Sequence, residues 1–243
     1  YSDDPGNRGL TLTSRAELLA AAEQALDAGF QICTHAIGDR ANAFVLDVYD
    51  EALTARGAKA RDVRFRIEHA QVLAGAEIPR FKALGVIPVM QASHCTSDMP
   101  WAIRRLGPER IKGAYAWRSL LRQGSIIPGG SDFPVESPNP LWGFYAAVTR
   151  QDQNGLPEQG WNPGERMTRE EALKSYTIWG AFAGFQEREK GTLEPGKWAD
   201  MVVLTDDIMK IDPPKILTTR VEKTIIAGEV VYEAPRESGG HEQ

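Results

Sequence analysis

The feature that most limits how this chain can fold is a rhythm. Short apolar runs at residues 30–34, 63–69, 86–91 and 125–128 alternate with helix-patterned segments over about 120 residues. Buried strands that alternate with amphipathic helices form parallel βα units, either in an open doubly wound sheet or in a piece of a barrel. The rhythm alone does not separate the two.

The helix signals are local. Ser14 followed by Glu17 is a capping box, and Leu18, Leu19, Ala22, Ala25 and Leu26 keep helical spacing until Gly29, which predicts a helix over 14–28. Asp39 opens a second helix whose Ala43, Leu46, Val48, Tyr49 and Leu53 share an apolar face, and further helices are expected at 78–84, 117–122 and 141–149. Thr168 with Glu171 is another capping box, starting a helix expected to run through Leu173, Tyr176 and Trp179 to about 184. Then the pattern changes. Leu193-Glu194-Pro195-Gly196 suits a type II turn, and 201–204 and 221–231, broken at Ala227-Gly228, read as strands with a hairpin. Residues 151–165, polar and bearing Gly and Pro, are expected to form a surface loop. The expected organisation is a main α/β portion over 1–190, a small β segment over 191–234 and a disordered tail over 235–243.

Composition excludes some partners. The net charge is −5 and the 28 Lys and Arg are scattered, so there is no basic stripe for a phosphate backbone. No apolar stretch approaches the ~20 residues of a membrane helix. Cys33 and Cys95 lie in separate segments without paired spacing, which argues against a disulfide framework and for a reducing, cytoplasmic setting.

What helps with function is where the polar residues fall. His35, His69, Gln91 with His94, and Asp132 all lie at or just beyond the C-terminal ends of consecutive strands, the rim where a (β/α)8 barrel collects catalytic groups. Two imidazoles and a carboxylate converging from strand ends suit a divalent metal. A lone histidine at a strand end is more often simply packed, but three such positions shift the balance toward ligation. By alternation, Cys33 should share a face with His35, and Phe65 and Ile67 with His69, so that residues below each imidazole fill the core. Asp39 is expected to cap its helix, and Glu68 to point away from His69 and pair with a neighbouring helix. Asp98 and Trp101 are expected in a loop at the rim, shaping a substrate pocket. Arg104, Arg105 and Arg110 are expected on a solvated helix face, and both cysteines as small buried thiols.

Five blocks then carry a resemblance. Thr34-His35-Ala36-Ile37-Gly38-Asp39, Ile67-Glu68-His69-Ala70-Gln71, Gln91-Ala92-Ser93-His94 with Ser97-Asp98-Met99-Pro100-Trp101, and Gly130-Ser131-Asp132-Phe133-Pro134-Val135 occur in order, followed by Gly191-Thr192-Leu193-Glu194-Pro195-Gly196-Lys197-Trp198-Ala199-Asp200. They resemble the YtcJ-like amidohydrolases, part of amidohydrolase family 3. The resemblance implies the C-terminal portion, strands five to eight, of a (β/α)8 TIM-type barrel, followed by a small β-sandwich segment. It implies His35, His69 and Asp132 as ligands of a divalent metal, most simply zinc, and His94 as a residue facing a small-molecule substrate. It also implies hydrolysis of an amide-like C–N bond, in which Asp132 takes a proton from water and passes it to the leaving nitrogen.

The family pattern also includes a His-x-His pair on the first strand and a bridging Lys or carboxylate on the fourth. The chain's four histidines, at 35, 69, 94 and 241, contain no such pair, so strands one to four are expected upstream of Tyr1. Weak metal binding and poor turnover are expected of the chain by itself. The alternative reading is a non-catalytic half-barrel that self-associates or complements a missing N-terminal half. A third is a barrel hydrolase acting on phosphate esters or lactones.

Overall fold

The computed structural model of the protein describes residues 1–57 and 62–235. Helix α1 (Arg15–Ala28) starts where the Ser14 hydroxyl accepts from the Glu17 N–H while Glu17 accepts from the Ser14 N–H, and it stops at Gly29 with φ 73°. Strand β1 (Cys33–Ala36), helix α2 (Asp39–Arg56), strand β2 (Arg66–His69), helix α3 (Ile78–Leu84) and strand β3 (Ile87–Val89) follow. The strands form a parallel sheet in the order β1-β2-β3.

Helices cover one face of that sheet. Tyr49 of α2 is fully buried, its hydroxyl 2.6 Å from Thr34 Oγ1 and its ring 4.9 Å from the ring of Phe65. Leu46, Ile67, Phe81, Trp117, Leu120 and Ile127 are buried in the same core. Each such side chain contributes roughly 1.5–3 kcal/mol through burial. Asn42, also fully buried, ties strand ends together by pointing Nδ2 at the carbonyls of Ala36, Ile37, Gly38 and Val72, between 2.9 and 3.2 Å away.

The other face carries Cys33 with His35, as expected, but with Arg66 and Glu68 where Phe65 and Ile67 are expected. Cys33 pairs in register with Arg66 and His35 with Glu68, and paired residues of a parallel ladder point the same way. Cys33 is exposed, as is His35, and Arg66 and Glu68 form an ion pair of 2.9 Å on that face. Glu68 is thus paired within its own strand and not with a helix. Phe65 and Ile67 belong to the helix-facing side. His69 leaves the alternation because its φ is 76°, which turns the chain at the strand end.

The fourth run does not form a strand. Residues 125–128 reach the sheet only through a parallel bridge between Met90 and Gly129. Pro128 has no N–H to give, and the neighbouring polar groups are taken elsewhere: Ser175 Oγ donates to Ile127 O (2.7 Å), and the Gly129 N–H donates to Ser175 O (3.0 Å).

Helix α4 (Ala92–Arg110) overrides the expected loop. It carries Pro100 and turns at Gly107, φ 74°, yet Ala92, Cys95, Ala102 and Leu106 are buried along it. Packing of that face holds Asp98 and Trp101 on a helix and not in a loop. Helices α5 (Trp117–Arg122) and α6 (Pro140–Thr149) stand close to their expected places. Residues 151–165 form a loop, closed on itself by Gln151 Nε2 donating to the Gly155, Pro157 and Glu158 carbonyls.

The single helix expected over 168–184 is two, α7 (Arg169–Ser175) and α8 (Ile178–Ala183). A continuous helix would offer the Ser175 carbonyl to Trp179, but Gly129 has it. Beyond α8, strands β4 (Met201–Leu204), β5 (Val221–Ile226) and β6 (Glu229–Glu233) make an antiparallel sheet, with helix α9 (Pro213–Ile216) between the first two. Ile208 and Ile216 from that connection are buried in the main core, and Arg169 donates to the Ile208 and Ile211 carbonyls. No helix among the described residues is long and apolar enough to cross a membrane. The expected tail, from residue 236 on and with His241, lies outside the described residues.

Candidate metal centre

His69, His94 and Asp132 come together at the C-terminal end of the parallel sheet. One ligand-capable atom from each lies within 4.8 Å of the other two. His69 ends β2, His94 sits in the first turn of α4, and Asp132 belongs to the loop before α6. Both His69 and Asp132 have positive φ, 76° and 58°, so the backbone is bent at each to aim the side chain.

His35 joins from the side. Its ring meets that of His69 edge to face with centroids 4.5 Å apart, and His69 in turn stacks on His94 at 5.7 Å. Burial foremost, then the neighbouring His35, holds the His69 imidazole below its usual pKa, which favours the neutral, ligating form. Its Nδ1 is buried without a hydrogen-bond partner. An orphan imidazole nitrogen beside a carboxylate fits a divalent cation accepting nitrogen and oxygen donors.

His94 is held from both sides. Its Nε2 faces Asp132 Oδ2 and its Nδ1 faces Glu136 Oε1, each at 3.3 Å, and Ser97 Oγ donates to that same Glu136 oxygen at 2.5 Å. A neutral ring has one N–H, so it serves one of these carboxylates at a time. Glu136 carries no motif of its own in the sequence. Its only signal is position, an acid shortly after Asp132 in a proline-flanked loop.

Asp98 lies one turn beyond His94 on α4. Its Oδ2 accepts from Tyr115 Oη (2.5 Å) and from Gln71 Nε2 (2.9 Å). Burial, the largest influence, pushes its carboxyl above the usual range despite the Tyr115 hydrogen bond. Gln71 and Tyr115, which sequence reading did not single out, therefore link the residue just past His69 to the face of α4.

Trp101 is elsewhere. It is 44% exposed and lines a shallow surface pocket with Asp3, Arg104 and Arg105, away from the imidazoles. Asp39 is the first residue of α2, which Gly38 caps, and its carboxylate stands 3.6 Å from Arg110. Cys95 is fully buried, and burial pushes its thiol up to about 12, as expected of an inert core cysteine. Cys33 is not buried.

Comparison with known proteins bears on the family of the chain. The family described as "Amidohydrolase family" matches residues 1–232. The chain is 34% identical to the putative amidohydrolase YtcJ of Bacillus subtilis over 96% of its own length and 43% of that protein's. It is 28% identical to the N-substituted formamide deformylase of Arthrobacter pascens over 93% of its length and 41% of that protein's. Among solved structures, an uncharacterized metal-dependent hydrolase from Pyrococcus horikoshii OT3 is 30% identical with a TM-score of 0.75, over 88% of this chain and 41% of that one. The chain spans about two fifths of the length of these relatives. The fold is related to that of the barrel-type amidohydrolases, and the chain belongs to the amidohydrolase family as a YtcJ-like member of amidohydrolase family 3.

Proposed function

We propose that this chain is the C-terminal portion, strands five to eight, of a (β/α)8 barrel, with β1, β2 and β3 as strands five to seven and the segment bridged at Gly129 in the place of strand eight, that β4, β5 and β6 are part of a small sandwich, and that it contributes to hydrolysis of a C–N bond in a small molecule. The observation that carries this reading is the convergence of His69, His94 and Asp132 within 4.8 Å at one end of a parallel sheet. On this reading the barrel portion is 1–190 and the sandwich segment 191–234.

His35, His69 and Asp132 would hold a divalent metal, with zinc the ion best suited to two imidazoles and a carboxylate. Such an ion supplies Lewis acidity, polarising a carbonyl and acidifying water. Asp132 accepts a proton from water and returns it to the leaving nitrogen. Its 39% side-chain exposure leaves room for both transfers. His94, braced by Glu136, faces the substrate and steadies Asp132. Asp98 shapes the pocket wall together with Gln71 and Tyr115, and Trp101 lies further out along α4. The name of the formamide deformylase relative favours amide-like substrates over esters.

Titrating zinc into the chain by calorimetry tests the ligand assignment. One-site binding that is lost in Asp132→Asn supports it, whereas no heat, or the same heat in the variant, overturns it. Weak binding is expected, because His35 is exposed on an uncovered sheet face. A panel of formamides, amides, a phosphate ester and a lactone tests the bond type. Turnover of the phosphate ester or lactone alone would move the reaction to another class.

A second reading rests on bare surface. β1 is an edge strand with Cys33 and His35 exposed, and Val230, Val231 and Tyr232 of β6 are exposed as well. Such edges take up further strands. In this reading the chain is a non-catalytic half that self-associates or pairs with an N-terminal half. Light scattering on the zinc-free chain would give a dimer or larger species if it holds.

A further inference from the structure

The turn that carries His69 out of β2 is held in a conformation that its own residues do not favour. His69 and Ala70 follow one another with φ of 76° and 45°, the left-handed region that a Cβ makes costly, and neither is glycine. Ala70 is fully buried and His69 is 7% exposed. Consecutive left-handed residues persist only where the surrounding structure leaves them no alternative, and such places cluster at functional sites. Without the bend, alternation would carry the imidazole to the side of Phe65 and Ile67, away from His35.

Gln71, the next residue, is where the bend is clamped. Its carbonyl accepts from the Tyr115 N–H at 2.7 Å, while its Nε2 donates to Asp98 Oδ2 at 2.9 Å and stands 2.5 Å from Tyr115 Oη. Tyr115 Oη in turn donates to the same Asp98 oxygen at 2.5 Å, which closes a triangle of three side chains. An ionised carboxylate can only accept, so Asp98 fixes which end of the Gln71 amide faces α4. The clamp is itself anchored. Tyr115, buried and with a positive φ of 52°, has its carbonyl held at 2.9 Å by Nη1 of the fully buried Arg150. Gln71 also acts on the His69 ring, where burial is the stronger influence and disfavours a proton while the Gln71 side chain favours one.

We infer that Asp98 is a positioning residue for His69: through Gln71 it holds the left-handed turn at residues 69 and 70 and so aims the imidazole at His35, His94 and Asp132. Asp98 lies one turn past His94 on α4, so a single helix sets the place of both imidazoles. This goes beyond a part in the pocket wall, since the Oδ2 of Asp98 is already engaged by two buried donors. The role rests on the reading of His69 as a ligand. Outer partners of a metal-bound histidine are commonly worth about 10–100-fold in metal affinity.

Two measurements on the 243-residue chain test this, one with zinc and one without. In competition with a chromophoric chelator, Asp98→Ala and Gln71→Leu should each weaken zinc binding roughly tenfold, and the double variant should bind no more weakly than the weaker single one. Ala70→Gly added to Asp98→Ala should recover part of the loss, because glycine takes the left-handed turn freely. In the zinc-free chain, three-bond couplings and backbone chemical shifts should give positive φ at His69 and Ala70 in the parent and negative φ in Asp98→Ala, with circular dichroism unchanged. Should Asp98→Ala not fold, Asp98→Asn takes its place, keeping the shape without the charge. Positive φ kept in both single variants overturns the inference whether or not zinc binds. With zinc bound by the parent, unchanged affinity in both variants, or no recovery from Ala70→Gly, also overturns it. A parent that binds no zinc but whose turn relaxes in Asp98→Ala supports the clamp and overturns the ligand reading instead.

Discussion

His94 and Asp132 meet at 3.3 Å although 38 residues of sequence separate them. One comes from the first turn of a helix and the other from a bent loop, so neither motif by itself implies the contact. The contact produces two overlapping donor sets around His69. The resemblance of the sequence names His35 as third partner, while the packed geometry offers His94.

These sets give opposite mutational results. With His35, His69 and Asp132 as ligands, His35→Ala and His69→Ala should each weaken zinc binding at least tenfold, while His94→Ala leaves it nearly unchanged. Zinc affinity measured by competition with a chromophoric chelator reads the difference. Loss of zinc in His94→Ala with retention in His35→Ala would select the other set.

Asn42 is expected to matter to the rim without touching it. Its amide serves four carbonyls from the ends of β1 and β2 with two N–H groups. Asn42→Ala takes the side-chain donor from the Val72 carbonyl, whereas the Ala36, Ile37 and Gly38 carbonyls keep the backbone N–H groups of Ala70, Val72 and residue 42; the loss should cost about 1–3 kcal/mol. Urea unfolding measures this, and hydrogen exchange at residues 36–38 should speed up.

The Arg64 cluster predicts an acid limb. The Arg64 guanidinium, through its hydrogen bond, holds the Glu187 carboxyl below the usual range. A depressed carboxylate contributes stability that is present above its unfolded pKa, about 4.3, and is lost as pH falls through the lower folded value. Melting temperature should therefore drop more steeply below pH ~4.3 in the parent than in Glu187→Gln. Parallel curves would remove Glu187 from the explanation.

Ser175→Ala should loosen the Asp132 loop from a distance. The hydroxyl that donates to Ile127 is buried, and its removal leaves that carbonyl unpaired at a cost of about 1–3 kcal/mol. Exchange protection should fall at residues 127–132 and hold at α1. Equal loss at both would mean a global effect.

What the sequence made legible was short in range. Ser14 with Glu17 and Thr168 with Glu171 mark helix starts because both partners of a capping box lie within one turn. The βα rhythm was readable because burial imposes a period. Expectation and structure part where a distant residue decides the outcome. Tyr176 and Thr177 look helical until Gly129 claims the Ser175 carbonyl, and Asp98 and Trp101 read as loop residues until the buried face of α4 is counted. Alternation puts His69 on the side of Phe65 and Ile67, whereas its positive φ turns the ring toward His35, and nothing local announces that turn. Glu136 had no signal, since its partner His94 is in a different element.

The grip of Ser175 on residues 127 and 129 also sets an order of assembly. On the ribosome, the segment leading to Asp132 emerges well before α7, at roughly 5–20 residues per second, and for a few seconds it has no anchor for the Ile127 carbonyl or the Gly129 N–H. The imidazoles of His35 and His69 belong to paired strands that can close earlier. The carboxylate is therefore the last member to be fixed, and a nascent chain holds the nitrogen donors before it holds the oxygen.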